Sequence, residues 1–283
     1  MNTEPLGARG LISKYGLSPK KKLGQNFLVD EFVLEKILNG ADVTEGDLVL
    51  EIGPGLGALT RGLVDRVGDT GHVVAVELDK QLVPILEDIY QGQNLTVVQG
   101  DILRVDLAEI VRPYKTDRKI KVVANLPYYI TTPVIISLLE SELGIETITV
   151  MVQKEVAQRM AAKPGTKEYG SLSLAVQYYA TVGVVANVPT HCFVPRPGVD
   201  SAVAQLKMLD APPVDTDKTR LFKVIHASFQ QRRKTLVNAL DSAGFGDGKE
   251  DLQNRLISIG LDPKIRGEKL NIAQFALVAN ALQ

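Results

Sequence analysis

The sequence predicts an α/β protein: a Rossmann-like parallel sheet with helices on both faces, followed by a small all-helical C-terminal domain. Three observations carry this. Between about residues 47 and 153, short β-rich runs alternate with helix-like segments. A glycine-rich turn follows the first of those runs, in EIGPGLG (51–57). Beyond the proline-rich, charged stretch DAPPVDTDK (210–218), every segment reads as helix.

Each element follows from its own pattern. LVLEIG (48–53), HVVAVEL (72–78), LTVVQGD (95–101), KVVANLP (121–127) and ETITVMVQ (146–153) are short runs rich in β-branched residues. Between them, ALTRGLVDRV (58–67), KQLVPILEDIY (80–90) and TPVIISLLES (132–141) space their apolar residues as helices do. Continuous apolar strands alternating with helices imply a parallel sheet covered on both faces. Two further helices are predicted at KEVAQRMAA (154–162) and GSLSLAVQYYA (170–180). TVGVVANV (181–188) and SAVAQLKML (201–209), separated by PTHCFVPRPGVD, are near enough in sequence to pair antiparallel at one sheet edge. The tail consists of LFKVIHASFQQRRKTLVNALDSAG, KEDLQNRLISIG and NIAQFALVANAL, broken from one another by Gly or Pro. The expected domains are therefore 1–209, catalytic, and 210–283, helical.

Bulk properties narrow the function. The chain has 283 residues, 45% of them hydrophobic and 23% charged, with no Trp and no apolar stretch of membrane-spanning length. Its N-terminus lacks the apolar core of a secretory signal, so a cytoplasmic protein that engages no membrane is expected. One cysteine, Cys192, forbids an internal disulfide, and with His72, His191 and His226 it offers no metal-ligand spacing, so no metal is expected. The net charge of −1 argues mildly against a nucleic-acid partner.

The strand ends argue for a cofactor. Gly53, Glu77, Asp101 and Asn125 recur at a constant interval of 24 residues, each at the end of a predicted strand. Singly, each has an ordinary explanation, such as a helix cap for Asp101. Together they place polar groups along one sheet edge, the edge where open α/β sheets bind ligands. The glycine turn lets backbone approach a ligand closely, and Glu77 stands where an acid accepts bonds from an adenosine ribose. The turn is G-x-G-x-G with Glu51 two residues ahead, not the G-x-G-x-x-G of dinucleotide sites. An added carboxylate repels a pyrophosphate and suits the sulfonium and ammonium of S-adenosylmethionine. The sheet is thus expected to be a class I S-adenosylmethionine-dependent methyltransferase sheet.

The fourth strand ends in Asn125-Leu126-Pro127-Tyr128. An exocyclic base amine is a poor nucleophile because its lone pair is delocalised into the ring. Acceptors aimed at its two N–H bonds favour a more pyramidal nitrogen; the Asn125 side-chain oxygen and the Leu126 carbonyl supply two. Pro127 stiffens the turn without a competing donor, and Tyr128 offers a face for an extruded base, worth roughly 1–3 kcal/mol. Because a sulfonium is already an activated leaving group, positioning suffices and no strong base is required. Methylation at pyrimidine carbon-5 would instead need a thiol nucleophile, and Cys192 is not beside this turn in sequence.

KKLGQNFLVD (21–30), LEIGPGLGALT (50–60), VAVELD (74–79), GDIL (100–103), VVANLPYYITTPVI (122–135), MVQKEVAQRM (151–160), KEYGSLSLAVQYYA (167–180), FVPRPGVDSAV (193–203), FQQRRKTLVNAL (229–240) and LDPKIRGEKL (261–270) stand in order along the chain. In these motifs the chain resembles the small-subunit (16S) ribosomal RNA adenine N6,N6-dimethyltransferases, the kasugamycin-resistance family, over nearly its whole length. The resemblance implies that Asn26 and Leu28 cover the cofactor, Gly53 lies under its methionine part and Glu77 holds the ribose, with Gly55, Leu78 and Ile102 also expected to bind cofactor. It further implies that Asp101 reads the adenine amine, Asn125 sits at the methyl, and Tyr128 and Phe193 sandwich the target adenine. The implied partner is 16S rRNA in a pre-assembled 30S particle, methylated twice on each of two adjacent adenosines; a monomer is the default expectation for the chain itself.

The net charge departs from the basic character expected of the family, so RNA contact is assigned to local clusters: Lys20, Lys21 and Lys22; Arg159 and Lys163; Arg232, Arg233 and Lys234. Three other readings compete: a macrolide-resistance type of large-subunit adenine methyltransferase, a non-catalytic assembly or nucleic-acid-binding factor, and a small-molecule amine methyltransferase. The long helical tail and KEYGSLSLAVQYY favour the small-subunit enzyme over the first, and the full set of strand-end residues disfavours the second. The third would leave the helical tail and the cationic clusters without a purpose.

Overall fold

The computed structural model describes residues 8–282. The chain opens with α1 (Ala8–Lys14), the short strand β1 (Phe27–Leu28) and α2 (Glu31–Ala41). There follow β2 (Leu48–Ile52), α3 (Ala58–Val67), β3 (His72–Glu77), α4 (Val83–Ile89), β4 (Leu95–Gln99), α5 (Leu107–Val111), β5 (Ile120–Asn125), α6 (Thr131–Glu140) and β6 (Ile145–Gln153). Then come α7 (Lys154–Ala161), α8 (Ser171–Tyr179), β7 (Ala180–Val188), β8 (Phe193–Val194) and β9 (Ser201–Met208). Four helices close the chain: α9 (Lys218–Gln230), α10 (Leu236–Ser242), α11 (Lys249–Ser258) and α12 (Ile272–Ala281).

Two compact units emerge. One comprises the described residues up to Ala157 together with Gly183–Met208; the other comprises Gln158–Val182 and the chain from Leu209 onward. Residues 158–182 therefore group with the helical unit, whereas the sequence-based boundary assigned them to the catalytic domain. The reason is packing: Tyr169, Leu174 and Tyr178 share a hydrophobic cluster with Leu221, Val224 and Phe275, and the Tyr169 hydroxyl donates to the Leu270 carbonyl at 2.7 Å. Sequence proximity to the sheet concealed that destination.

The first unit is built on a seven-stranded sheet of order β4-β3-β2-β5-β6-β9-β7. β3 and β5 flank β2, and all pairings from β4 to β6 are parallel; β9 runs antiparallel to β6. The order reverses between β2 and β5, which opens a crevice at the C-terminal ends of those strands. Both faces of the inner strands are covered, which is why these strands are mostly apolar: all five residues of β2, Glu51 among them, are buried. Val49, Val73, Val123, Met151 and Val203 turn to one face, where they meet Ile37 and Leu38 of α2 and Leu59 and Leu63 of α3.

α2 starts at Asp30, whose carboxylate accepts from the Val33 N–H at 3.0 Å. α2 packs closely on α3: a Cβ on Gly62 would sit 2.2 Å from Leu38 Cδ1. At the other end of the sheet, Asp47, just before β2, accepts from Lys121 of β5 at 2.9 Å and from Arg118 at 3.2 Å.

In the helical unit, the run 221–244 reads as one helix but is two. α9 ends at Gln230, a turn covers 231–234, and Thr235 caps α10 by accepting from the Asn238 N–H. Neither Gly nor Pro makes this break. Arg232 holds the turn, donating from Nε to Glu268 at 2.9 Å and from Nη2 to the Thr166 carbonyl at 3.1 Å.

Candidate active site

The turn after β2 is shaped by two glycines. Gly53 and Gly55 have φ of +66° and +62°, a conformation that side chains disfavour. A Cβ on Gly55 would also come within 3.3 Å of the Phe27 ring. Around this turn lies a cleft of about 1080 Å³, its open mouth included. It is large enough for a nucleoside-sized ligand.

Every residue predicted to bind cofactor lines this cleft: Asn26, Leu28, Gly53, Gly55, Glu77, Leu78, Asp101, Ile102 and Asn125. So do the predicted catalytic residues Leu126, Pro127, Tyr128 and Phe193. Parallel pairing of β2, β3, β4 and β5 brings the four 24-spaced positions to one edge.

The carboxylates differ in their surroundings. Glu51, 1% exposed, has an Oε2 with no hydrogen-bond partner, and burial pushes its carboxyl up to about 8, the Thr60 hydroxyl opposing the rise and the Glu77 charge adding to it. Glu77, 6% exposed, accepts from the Gly55 N–H at 3.0 Å and the Asp79 N–H at 2.8 Å. Burial still holds its carboxyl above the ordinary value. Asp101 is more open; it accepts from the Leu103 N–H and lies 3.5 Å from Arg104.

At the end of β5, Asn125 Nδ2 donates to the Asn26 carbonyl at 3.2 Å, which leaves Oδ1 as the acceptor. The Leu126 N–H donates to the Met151 carbonyl of β6, anchoring the turn to the sheet. Tyr128 is half-buried and its hydroxyl lies 2.7 Å from Ser201 Oγ, fixing the ring; burial raises its pKa, so the phenol stays neutral. Phe193 lines the cleft although it is only 2% exposed, while Tyr129, 55% exposed, also lines it.

Tyr129 and Gln25 line the cleft as well, and no sequence pattern marks either. Tyr129 adjoins a named motif, but nothing in its spacing separates it from an ordinary packed ring. Gln25 could be placed only by knowing where the N-terminal segment lies. That segment crosses the cleft because β1 pairs antiparallel with β8, Phe27 opposite Val194 and Leu28 opposite Phe193.

The predicted RNA-contact residues divide. Lys20 is engaged, 2.7 Å from Asp79 Oδ1, and Arg232 is engaged with Glu268. Lys22, Arg159, Lys163, Arg233 and Lys234 are exposed, and the side chain of Lys21 lies outside the described residues. Within the helical unit, Arg232 reaches the Thr166 carbonyl, which sets the 231–234 turn beside the loop that carries Lys163.

Cys192 is buried, and its thiol donates to Asp30 Oδ2 at 3.5 Å; burial and the Asp30 charge push the thiol up, so it is no ready nucleophile. With His191 these groups place three ligand-type atoms within 4.8 Å of one another. Sequence spacing could not show that trio, because Asp30 lies far upstream.

The sheet order, the glycine turn and the cleft at the switch point define a class I methyltransferase fold. Two solved structures share it. A dimethyladenosine transferase from Plasmodium falciparum superposes with TM-score 0.74 at 24% identity, covering 89% of this chain and 95% of the other. The 23S rRNA methyltransferase ErmE gives TM-score 0.70 at 25% identity, covering 91% and 99%.

The sequence decides the family. Residues 16–283 match the ribosomal RNA adenine dimethylase family, and the chain belongs to it. A protein of Lachnoclostridium phytofermentans named ribosomal RNA small subunit methyltransferase A is 50% identical over 276 residues, covering 96% of this chain and 94% of that one. Its namesake in Bacillus mycoides is 48% identical over 283 residues, covering 98% and 96%.

Proposed function

We propose that this enzyme transfers methyl groups from S-adenosylmethionine to N6 of two adjacent adenosines near the 3′ end of 16S rRNA, giving N6,N6-dimethyladenosine during small-subunit maturation. It does so in the cytoplasm, as a monomer, on a pre-assembled 30S particle. The observation that carries this reading is the turn Asn125–Tyr128 opening into the same cleft as the glycine turn and Glu77. Near-full-length identity of 48–50% to small-subunit relatives favours the small over the large ribosomal subunit.

The donor set fits the cofactor. Glu51 Oε2 is buried and unpartnered, which suits a cationic group, and Gly53 leaves room beneath it: a Cβ there would meet only the Asn125 carbonyl, at 3.9 Å. Glu77 retains acceptor capacity for ribose hydroxyls beyond its two backbone donors, and Asp101 is open enough to accept from an adenine amine. When bound, S-adenosylmethionine supplies a methyl group on a sulfonium that is already an activated leaving group.

The chain does the positioning. Asn125 Oδ1 and the Leu126 carbonyl accept from the two N–H bonds of the target amine and draw its lone pair out of conjugation. Tyr128, pinned to Ser201, stacks on the extruded adenine, and a neutral phenol takes no proton at this site. The cleft walls, apolar at Leu28, Leu126 and Phe193, exclude water from the reacting nitrogen. The helical unit, with exposed Arg233, Lys234, Arg159 and Lys163, holds the RNA backbone.

The test is transfer of radiolabelled methyl groups to 30S particles from cells lacking the modification, with nucleoside analysis. Dimethyladenosine in 16S rRNA is expected; cofactor binding without transfer would favour an assembly factor instead. Asn125→Ala and Tyr128→Ala should each reduce turnover by about 100-fold or more while RNA affinity changes little. Retained turnover in both would overturn the mechanism.

A further inference from the structure

One buried carboxylate near the cleft has no part in the reading so far. Asp79, two residues after Glu77, is 4% exposed. Its Oδ1 accepts from Lys20 Nζ at 2.7 Å and from the Gln81 N–H at 3.1 Å. Its Oδ2 accepts from Gln25 Nε2 at 2.9 Å, and Gln25 Oε1 in turn accepts from the Lys20 N–H at 2.8 Å. Burial opposes the charge on Asp79, but Lys20, Gln81 and Gln25 together outweigh it, and the carboxyl is held below its ordinary value.

The segment so gripped is the one that covers the cleft. Residues 20–28 start at Asp79 and pass over Gly24, where an added Cβ would lie 3.3 Å from the Tyr129 ring. They reach Asn26, whose carbonyl receives the Asn125 side chain, and end in β1 paired with β8. Asp79 is joined to the floor as well, because its own N–H donates to Glu77 Oε1. A single residue thus links the acid at the sugar end of the cleft to the strand that crosses toward Asn125.

We propose that Asp79 and Lys20 form a clasp that holds the N-terminal segment closed over bound cofactor, and that Asp79 is a positioning residue for cofactor retention. This rests on the reading of the cleft as an S-adenosylmethionine site. It also reassigns Lys20: its ammonium serves Asp79, whereas its neighbour Lys22 is exposed and available to RNA. The clasp acts on how long the ligand stays and leaves Asn125 and Tyr128 to govern the transfer.

The experiment uses the full chain and S-adenosylhomocysteine, titrated by calorimetry into wild type, Asp79→Asn, Lys20→Ala and the double variant. Asp79→Asn keeps the side-chain shape and removes the charge that holds Lys20. Expected is a Kd raised about tenfold in each single variant, with the double variant no weaker than the worse single, because both break one interaction. KM for S-adenosylmethionine should rise while kcat changes far less, a split that a general loss of fold would not produce. Should Asp79→Asn fold poorly, Lys20→Ala carries the test alone, since its side chain is 37% exposed. Wild-type affinity in the folded variants, or losses that add in the double variant, would overturn the clasp. A wild type that binds no S-adenosylhomocysteine would overturn the cofactor reading and the clasp with it.

Discussion

The two ends of the central strand β2 carry buried carboxylates in opposite circumstances. Asp47, 5% exposed, precedes the strand, and Glu51, 1% exposed, lies near its other end. Asp47 meets Lys121, Arg118 and the Thr44 N–H and hydroxyl. Burial works against its charge, yet these partners prevail and its carboxyl is held below the ordinary value. Glu51 meets no cation, one of its oxygens is unpartnered, and burial pushes it up to about 8. Equal burial with unequal satisfaction separates a group that holds the sheet together from one whose hydrogen-bonding capacity the protein leaves unused.

The largest effect should come from breaking the satisfied end. Lys121 also donates to the Asp42 carbonyl, so Lys121→Met takes that donor from the carbonyl and leaves Asp47 with Arg118 and Thr44 alone. It should cost about 3 kcal/mol in denaturant unfolding, the low end for breaking a buried pair, because those partners remain. Pairing it with Asp47→Asn should recover much of the loss, and full additivity of the two would show that they do not interact.

At the unsatisfied end the same logic inverts. Glu51→Gln removes a poorly solvated acid, so stability should hold or rise at pH 9 while affinity for S-adenosylhomocysteine falls by about 1.5–3 kcal/mol. A variant with unchanged affinity would remove Glu51 from the cationic subsite.

Titration sharpens the contrast. Glu51 is raised in the folded state above its ordinary 4.5, so its contribution to stability is present at low pH and is lost as pH climbs from about 4.5 to about 8. Asp47 is depressed, so its contribution is present above the ordinary 3.8 and is lost as pH falls through its lowered value. Unfolding of wild type and of Glu51→Gln across pH 5–9 should therefore differ most at the alkaline end. Parallel curves would contradict the assignment.

The smallest effect concerns the helical unit. Arg232→Ala should cost under about 1 kcal/mol of stability, because its pair with Glu268 is partly exposed. It should weaken RNA binding less than Arg233→Ala or Lys234→Ala, since Arg232 is already occupied. Filter-binding affinities for the three variants decide this, and a larger loss at Arg232 would place it at the RNA surface.

Much of this was legible in the chain. Strand ends 24 residues apart predicted one polar edge because parallel β-α-β units repeat at nearly constant length, so equal spacing in sequence becomes adjacency in space. The glycine turn and the apolar strands are local patterns, and local sterics and burial determine them. The grip of Asp79 on Lys20 and Gln25, and the thiol of Cys192 on Asp30, join residues separated by more than 50 positions in one case and 160 in the other. No period or motif encodes such pairs.

The same distinction explains residues 158–182, whose helix is plain in the sequence but whose core partners lie beyond residue 220. It also explains Arg232, which looks like a free cation until Glu268 folds against it. By itself the sequence determined the α/β class, the polar edge of strand ends and the Asn125–Tyr128 turn, because backbone sterics and hydrophobic periodicity act over a few residues. Only the tertiary structure decided which charges are spent on internal partners and which stay available to a ligand, because that depends on contacts between segments that the chain order keeps apart.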